Sequence, residues 1–229
     1  MCATKIAVLG AGRCCGVSFV SLLCARALLS RGSASLVEAS DSYFYSAMAF
    51  DRRFVSREFS AVFDNIRQNR AIVCPINKEE GLEWWLRLPK DDQPLPAQQL
   101  FRLLYAPKTD FSVFDCSGLG ASDALPLAAE ADKVVLVIDP LPTKLMRAEN
   151  LISRLLSSAQ NLCIVINKDN RGVNQKELTD FLGTRPVLNI PAFEPEAFYK
   201  AEFLGKSITE IVSAKEFAKT QDMLLRALL

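Results

Sequence analysis

The sequence predicts an α/β protein with three α/β/α layers, in which helices cover both faces of a mostly parallel sheet. Strand-like and helix-like segments alternate along the chain, which is typical of parallel strands joined by helical crossovers. The strand-like segments are short and rich in Val and Ile, as expected for strands buried on both faces. The 229 residues are 50% hydrophobic, so the chain can build one large core, and we expect a single domain over residues 1–229.

The individual elements are predicted from periodicity and from glycine and proline positions. A first strand at Lys5–Leu9 leads through a glycine-rich loop into a helix at Val17–Leu29. Later strands are predicted at Ala34–Glu38, Ala71–Pro75, Phe111–Asp115, Lys133–Ile138, Leu162–Ile166 and Pro186–Ile190. Later helices are predicted at Tyr43–Arg53, Pro96–Tyr105, Ser122–Ala131, Thr143–Ser158, Asn174–Leu182, Glu194–Leu204 and Ile208–Leu228. Lys78–Pro96 has the weakest periodicity, so we expect an insertion or a loop there.

Composition excludes several classes of function. The net charge is +1 and the sequence contains no histidine, so neither an extended nucleic-acid surface nor histidine-based catalysis is expected. The seven cysteines form an odd set without regular spacing, which favours free thiols in a reducing compartment. No apolar segment reaches the roughly 18 residues that span a bilayer, and no signal-peptide pattern precedes the first strand. We therefore expect a cytoplasmic protein that does not associate with membranes.

The loop between the first strand and the first helix is the strongest candidate site. Gly10, Gly12 and Gly16 allow tight turns, so that loop amides and the helix N-terminus face one point. An anion there would accept hydrogen bonds and meet the positive end of the helix dipole. Val17 and Ser18 follow Gly16, whereas a phosphate loop of the form G-x-x-x-x-G-K-[ST] has lysine at that point. The sequence therefore predicts an anion site that lacks its usual cation.

A dinucleotide-binding domain is one class of protein with such a loop. Its G-x-G-x-x-G pattern is approximated by Gly10, Gly12 and Gly16, and Glu38 lies at a suitable distance for the acidic residue that binds the ribose. This alternative predicts an NAD(P)-dependent oxidoreductase.

Four later segments point to a different class. Phe111–Gly120 (FSVFDCSGLG) is an apolar strand that ends in aspartate before a glycine turn, and Ala131–Asn150 is a strand, a turn with Pro and Thr, and a helix. Ile164–Lys168 (IVINK) ends a strand in asparagine, and Leu188–Ile208 contains an Ile-Pro turn and a Pro-Glu helix start. In these segments and in its loop the chain resembles the MinD/ParA family, a SIMIBI-class P-loop family with a deviant Walker A motif.

The resemblance implies a P-loop NTPase-like fold and assigns positions in the loop. Gly12 takes the place of the family's signature lysine, and Val17 takes that of the phosphate-binding lysine. Arg13, beside Gly12, would be the substitute cation. The nucleotide-binding residues implied by the resemblance are Gly10, Gly12, Arg13, Cys14, Cys15, Gly16, Val17, Ser18 and Asn167.

The resemblance also assigns three polar residues that remain. Ser18 and Asp115 would hold Mg²⁺, and Asn167 would contact the adenine ring. From the residues alone, each also has a structural interpretation: Ser18 can be a helix N-cap, Asp115 can cap a turn, and Asn167 can close a turn.

After the second strand the resemblance implies the loss of a carboxylate. Glu38 matches the family's first aspartate there, Ser40 takes the place of the water-positioning aspartate, and Asp41 lies one residue out of register. Cys14, Cys15 and Cys116 lack C-x-x-C spacing and are expected to be ordinary free thiols rather than metal ligands.

Two lysines and one carboxylate are thus missing together, which predicts weak or no ATP hydrolysis. The resemblance then implies a degenerate MinD/ParA-like protein, comparable with TadZ-type pilus-assembly proteins, that forms a homodimer and positions an unidentified protein partner. ATP or ADP with Mg²⁺ is one expectation for the ligand, and the absence of any cofactor is the other. An alternative is a slow ATPase in which Arg13 and Asp41 replace the lost groups.

Overall fold

The strands of the protein form one mixed, mostly parallel sheet. A computed structural model describes residues 3–50, 57–72, 78–79, 81–89, 93, 95–159, 161–183, 187–212 and 214–229. The strands are β1 (Thr4–Gly10), β2 (Ala34–Glu38), β3 (Lys78–Glu79), β4 (Leu82–Trp85), β5 (Phe111–Asp115), β6 (Lys133–Ile138), β7 (Leu162–Asp169) and β8 (Val187–Pro191). Their order in the sheet is β3-β4-β2-β5-β1-β6-β7-β8. All neighbouring pairs are parallel except β3 and β4, which are antiparallel.

Helices connect the strands and cover the sheet. They are α1 (Val17–Leu28), α2 (Phe44–Ala47), α3 (Arg57–Arg67), α4 (Ala97–Leu104), α5 (Ala121–Glu130), α6 (Pro142–Ser158), α7 (Gln175–Leu182), α8 (Pro195–Leu204), α9 (Ile208–Ile211) and α10 (Ala214–Leu228). No helix in the described part of the chain is both long and apolar enough to cross a bilayer.

Successive strand residues pack into separate cores on opposite faces of the sheet. In β1, Ile6 and Val8 join the core that contains α1, α8 and α10, whereas Ala7 and Leu9 join the core that contains α3 to α7. Because side chains alternate along a strand, this division places a helical layer on each face. The predicted three-layer α/β/α class is therefore confirmed.

Most predicted elements lie within a few residues of their observed bounds, but four predictions need correction. Lys78–Pro96 was expected to be an insertion or a loop; instead it contains β3 and β4, and β4 pairs with β2 inside the sheet. The helix α3 was not predicted. The helix expected over Ile208–Leu228 is divided into α9 and α10, with Val212 in extended backbone after α9.

The remaining two corrections concern the helix expected after β2 and the strand expected at Ala71–Pro75. A helix was expected over Tyr43–Arg53, but α2 ends at Ala47, and Ala49 adopts a left-handed φ of 51° that interrupts helical backbone. Residues 51–53 of that prediction lie outside the described residues. Of the strand expected at Ala71–Pro75, Ala71 and Ile72 are not in a strand, and residues 73–75 lie outside the described part.

The parallel arrangement determines where polar groups meet. Strands β1, β2, β5, β6 and β7 run in the same direction, so their carboxyl ends lie along one edge of the sheet. Glu38, Asp115, Asp139 and Asn167 lie at or just beyond those ends, and all of them are buried. In open α/β sheets this edge is where ligands bind.

The role of β4 can be tested at Trp84. Its side chain is fully buried, and its ring lies edge-on to Phe44 and Phe50, with centroids 5.6 Å and 5.2 Å away. Trp84→Ala should lower the free energy of unfolding by about 3–5 kcal/mol, because it leaves a large cavity in the core. Urea denaturation followed by circular dichroism measures this loss. Tyr199→Ala, on the exposed face of α8, is the control and should cost less than about 1 kcal/mol; an equally small effect at Trp84 would contradict the observed packing.

Candidate functional site

A large cleft lies at the carboxyl edge of the sheet. Its volume is about 1430 Å³, and it is lined by the loop after β1, residues 40–43, residues 116–120, Asn167, Lys168 and residues 191–193. These segments come from different strand ends, and the fold brings them together. Nearly all candidate site residues predicted from the sequence line this cleft or lie directly beneath it.

The loop after β1 has the geometry of an anion site. Gly16 adopts a left-handed φ of 87° and directly precedes α1, so the first amides of that helix have no side-chain cap from it. The first turn of α1 contains no acidic residue. Free N–H groups and the helix dipole therefore favour an anion in front of Val17.

Gly16 also touches the end of β7. A Cβ atom at position 16 would collide with the Asn167 side-chain amide. Asn167 Nδ2 donates a hydrogen bond of 2.8 Å to the carbonyl oxygen of Cys15, and the asparagine is only 4% exposed. Asn167 thus holds the loop itself, rather than only closing a turn as its sequence context also allowed.

The loop positions that correspond to lysines in the family offer no ammonium group. Val17, the first residue of α1, is 6% exposed and packs in the hydrophobic core. Gly12 has no side chain, and Arg13 beside it is exposed and lines the cleft. Among the described residues that line the cleft, the basic side chains are those of Arg13, Arg87 and Lys168.

The two cysteines of the loop differ in their surroundings. Cys14 is exposed, whereas the Cys15 thiol is buried and donates a hydrogen bond to the Gly12 carbonyl at 2.7 Å. Burial raises the pKa of Cys15 to about 11, so this thiol stays protonated near neutral pH. Cys116 is also buried, and burial raises its pKa well above the usual value.

Asp115 is a buried carboxylate at the end of β5, directly before the cleft residues 116–120. It is 1% exposed; Oδ1 accepts the backbone N–H of Ser117 at 3.0 Å, and Oδ2 has no hydrogen-bond partner among the described residues. Burial raises the pKa of Asp115, and interactions with the Ser18 and Ser117 hydroxyls and the Ser117 N–H partly offset this increase. An unpartnered buried carboxylate oxygen is costly unless a ligand completes it.

Ser18 lies on the same side of the cleft and does not cap the helix. The position before α1 is occupied by Gly16, and the Ser18 hydroxyl instead lies 3.4 Å from the Ser117 hydroxyl. Mg²⁺ prefers oxygen ligands and keeps several waters, so it needs few protein groups. The Asp115 carboxylate and the two hydroxyls fit such an ion, although the described residues contain no cluster of three or more His, Cys, Asp or Glu groups for a metal.

Asp41 lies against the turn that follows β5. Its carboxylate occupies the space where Gly118 would carry a Cβ atom, and Gly118 has a left-handed φ of 78°. Asp41 is exposed, and both Ser40 and Asp41 line the cleft. Asp41, which lies one residue out of register with the family's aspartate in sequence, is therefore in the cleft and close to Asp115.

Glu38 does not have the role that the dinucleotide-binding alternative requires. It is fully buried, and Oε1 accepts the backbone N–H groups of Tyr43 and Phe44 at 2.6 Å and 2.7 Å, while Oε2 accepts that of Arg87 at 2.8 Å. A carboxylate with these partners is not available to a ribose. The strand order also differs from the dinucleotide-binding order, because β1 pairs with β5 and β6 rather than with β2. Neither Glu38 nor the strand order therefore supports the oxidoreductase alternative.

Sequence reasoning missed a basic group directly after Asn167. Lys168 Nζ donates to the Cys14 carbonyl at 2.7 Å and lies 3.3 Å from Asp139 Oδ2, which also pairs with Lys144 at 2.7 Å. Phe193 and Phe198, which form an apolar wall of the cleft, were also not predicted as site residues. The available signal was the position of Lys168 at the carboxyl end of a predicted strand.

Solved structures of MinD and ParA proteins share this architecture. A plasmid partition protein from Borrelia burgdorferi bound to AMPPNP has a TM-score of 0.74 and 14% identity, over 98% of each chain. MinD from Pyrococcus horikoshii complexed with Mg-ADP has a TM-score of 0.70 and 14% identity, over 96% of this chain and 93% of that one. The MinC:MinD complex from Aquifex aeolicus has a TM-score of 0.73 and 16% identity, over 98% of this chain and 96% of that one. No family model and no curated protein matches the sequence.

The comparisons with solved structures identify the fold of this chain. The chain has the α/β fold of the MinD and ParA P-loop ATPases, which confirms the fold expected from the resemblance. Within that fold, its loop combines a left-handed Gly16 and an uncapped helix N-terminus with the buried apolar side chain of Val17.

The buried carboxyl of Glu38 predicts a pH dependence of stability. Burial raises its pKa from 4.5 to about 8, against the hydrogen bonds from Phe44, Tyr43 and Arg87. The folded state therefore keeps this proton at pH values where the unfolded state has lost it, so the free energy of unfolding should fall as pH rises from about 4.5 to about 8. Glu38→Gln cannot ionise and should reduce that slope in urea titrations at several pH values.

Asp115 has a pKa raised in the same direction, so a smaller slope should remain in the Glu38→Gln variant. Glu196→Gln, which alters an exposed carboxylate on α8, should leave the slope unchanged. A wild-type stability that rises across this interval would contradict the effect assigned to Glu38.

Proposed function

We propose that this chain binds an adenine nucleotide with Mg²⁺ and hydrolyses it weakly or not at all, acting as a dimerising scaffold or positioning factor for a larger assembly. One observation carries the proposal. The loop before α1 has the backbone of an anion site, but Val17 is a buried apolar residue where the resemblance requires a lysine. Backbone amides can bind a phosphate group without that lysine.

Two features support the choice of ligand. MinD from Pyrococcus horikoshii was solved with Mg-ADP and the Borrelia partition protein with AMPPNP, and both share the fold of this chain. In this chain the cleft offers the loop amides for phosphates and an apolar wall containing Phe193 for a flat ring. Buried Asp115, directly before the lining residues 116–120, has an unpartnered oxygen for a cation. Mg²⁺ held by Ser18 and Asp115 would neutralise phosphate charge.

Weak hydrolysis follows from the groups that are absent from their usual positions. Phosphoryl transfer depends on positioning and on cations that stabilise charge at the transferred group. Val17 and Gly12 supply no such cation, and Ser40 replaces the carboxylate that would position water. A bound nucleotide would then act as a structural ligand whose presence changes the cleft, rather than as a substrate.

A slow ATPase is the second candidate, and two observations favour it. Arg13 is exposed on the loop and lines the cleft. Asp41 lies against the Gly118 turn, near the expected metal position beside Asp115. In this alternative Arg13 would contact the phosphates and Asp41 would orient water, with arginine replacing lysine imperfectly because its fork has a different shape.

The scaffold role rests on analogy with relatives. The Aquifex MinD was solved in complex with MinC, so a protein of this fold can present a surface to a partner. We extend this to the present chain as self-association and the recruitment of an unidentified protein.

Calorimetry and a phosphate-release assay test the nucleotide proposal. Mg-ATP and Mg-ADP should bind, NAD should not, and phosphate release should stay at background, because the cleft has anion donors without the usual cations. Light scattering after gel filtration should show a dimer. Turnover that falls in Arg13→Ala and Asp41→Asn would support the slow ATPase instead, and the absence of any nucleotide binding would contradict both candidates.

Gly16→Ala tests whether the loop is the binding site. The new Cβ would collide with Asn167 and would require a left-handed backbone, so the loop must move. We expect the affinity for Mg-ADP to fall by about tenfold or more, measured by calorimetry. Gly81→Ala is the control, because Gly81 has a similar φ of 82° but a Cβ atom there would make only ordinary contacts with Leu29, and Gly81 does not line the cleft. Equal affinities in the two variants would place the nucleotide elsewhere.

A further inference from the structure

We propose that Lys168 is a positioning residue for the loop of residues 10–16: its ammonium group, anchored by Asp139, fixes the Cys14 carbonyl and thereby orients the loop amides for a phosphate group. The inference rests on the proposed function, because it explains how an anion site persists without lysine at position 17. It assigns to Lys168 an action on the loop backbone, not on the reacting atoms.

The end of β7 departs from regular strand geometry at this residue. The register between β7 and β8 shifts between Ile166 and Asp169, and Lys168 has a left-handed φ of 64°. A bulge of this kind redirects side chains and is common beside functional sites. Left-handed backbone is unfavourable for a lysine, so the surrounding contacts must hold it.

Two consecutive residues of the bulge hold two consecutive carbonyls of the loop. Asn167 Nδ2 donates to Cys15 at 2.8 Å, and Lys168 Nζ donates to Cys14 at 2.7 Å. A trans peptide directs its C=O and N–H groups in opposite directions. Fixing both carbonyls toward β7 therefore directs the N–H groups of Cys15 and Gly16 away from β7, where an anion can accept them.

Cys14 shows the same constraint from the side of the loop. Its φ is 57°, so a residue with a Cβ atom is held in left-handed backbone between Gly12 and Gly16. Alternation of left-handed and ordinary residues is the backbone pattern of an anion-binding concavity. The bond from Lys168 to the Cys14 carbonyl provides an interaction that keeps this conformation.

Asp139 anchors the lysine and sets the local charge. Burial alone would raise the pKa of Asp139, but hydrogen bonds from Lys144 and Lys168 outweigh it and the pKa is lowered. Its side chain is 5% exposed, and Oδ2 lies 2.7 Å from Lys144 Nζ and 3.3 Å from Lys168 Nζ. Two ammonium groups share one carboxylate, so this cluster contributes a positive charge behind the loop.

Lys144 therefore offers a matched comparison. It pairs with the same carboxylate as Lys168, but its recorded contact is with Asp139 and not with a loop carbonyl. Lys144→Met removes the same unit of charge without removing the loop contact, and Lys168→Arg keeps a cationic donor at position 168.

The experiment measures loop opening and anion affinity separately, in a Cys14→Ser background that removes the exposed thiol. Loop opening is followed as the alkylation rate of buried Cys15 by site-resolved mass spectrometry, with fully buried Cys24 of α1 as the internal control. Anion affinity is measured by calorimetry with inorganic pyrophosphate.

Lys168→Met should raise the Cys15 alkylation rate and weaken pyrophosphate binding, each by about fivefold or more, with Cys24 unchanged. Lys168→Arg should restore both the alkylation rate and the affinity to within about threefold of wild type. Lys144→Met should not raise the Cys15 rate, because the charge of Lys144 lowers the pKa of Cys15, and it should weaken pyrophosphate binding less than Lys168→Met does.

An unchanged Cys15 rate in Lys168→Met, an equal rise at Cys24, or an unchanged pyrophosphate affinity despite faster Cys15 alkylation would each overturn the assignment. If wild-type protein binds neither pyrophosphate nor nucleotide, the proposed function fails, and the Cys15 rate still decides whether Lys168 holds the loop.

Discussion

The contact between the end of β7 and the loop after β1 is the constraint on which the cleft depends. Asn167 is buried, its amide is bonded to the Cys15 carbonyl, and Gly16 lies so close that no side chain fits there. Because the two segments are far apart in sequence, the loop acquires its shape only when β1, β6 and β7 are paired side by side. The shape of the loop is thus a product of tertiary structure, not of the glycines alone.

A second buried group organises the opposite wall of the cleft. Glu38 accepts backbone N–H groups from both Tyr43 and Phe44 and from Arg87 on the segment after β4. These bonds connect the end of β2 to the two segments that follow β2 and β4, and so fix the start of α2 and residues 40–42 above the sheet. An acidic residue at a strand end can therefore serve the backbone of the protein itself, and position alone does not assign it to a ligand.

The sequence was sufficient for the layers of the fold, because apolar runs in parallel strands and amphipathic helices are local patterns. The strand β4 was not predicted from the sequence, because it is short and lacks the usual Val and Ile. Its residues Trp84 and Trp85 face opposite cores. Within the site, Asp115 and Asn167 could be predicted from their positions after apolar strands. The roles of Glu38 and Lys168 could not, because each depends on a backbone partner supplied by another segment, and the bulge that redirects Lys168 has no local sequence signature.

The balance of charge in the cleft has a consequence for any phosphate ligand. The carboxylates of Asp115 and Asp41 remain near the loop, whereas Val17 contributes no positive charge. A polyphosphate entering this cleft meets these like charges beside the basic side chains of Arg13 and Lys168 and the partial charges of the loop amides. A divalent cation at the unpartnered Asp115 oxygen would convert that repulsion into attraction. If the proposed nucleotide binds in this cleft, we expect its affinity to depend on Mg²⁺ more strongly than in a relative whose loop retains its lysine.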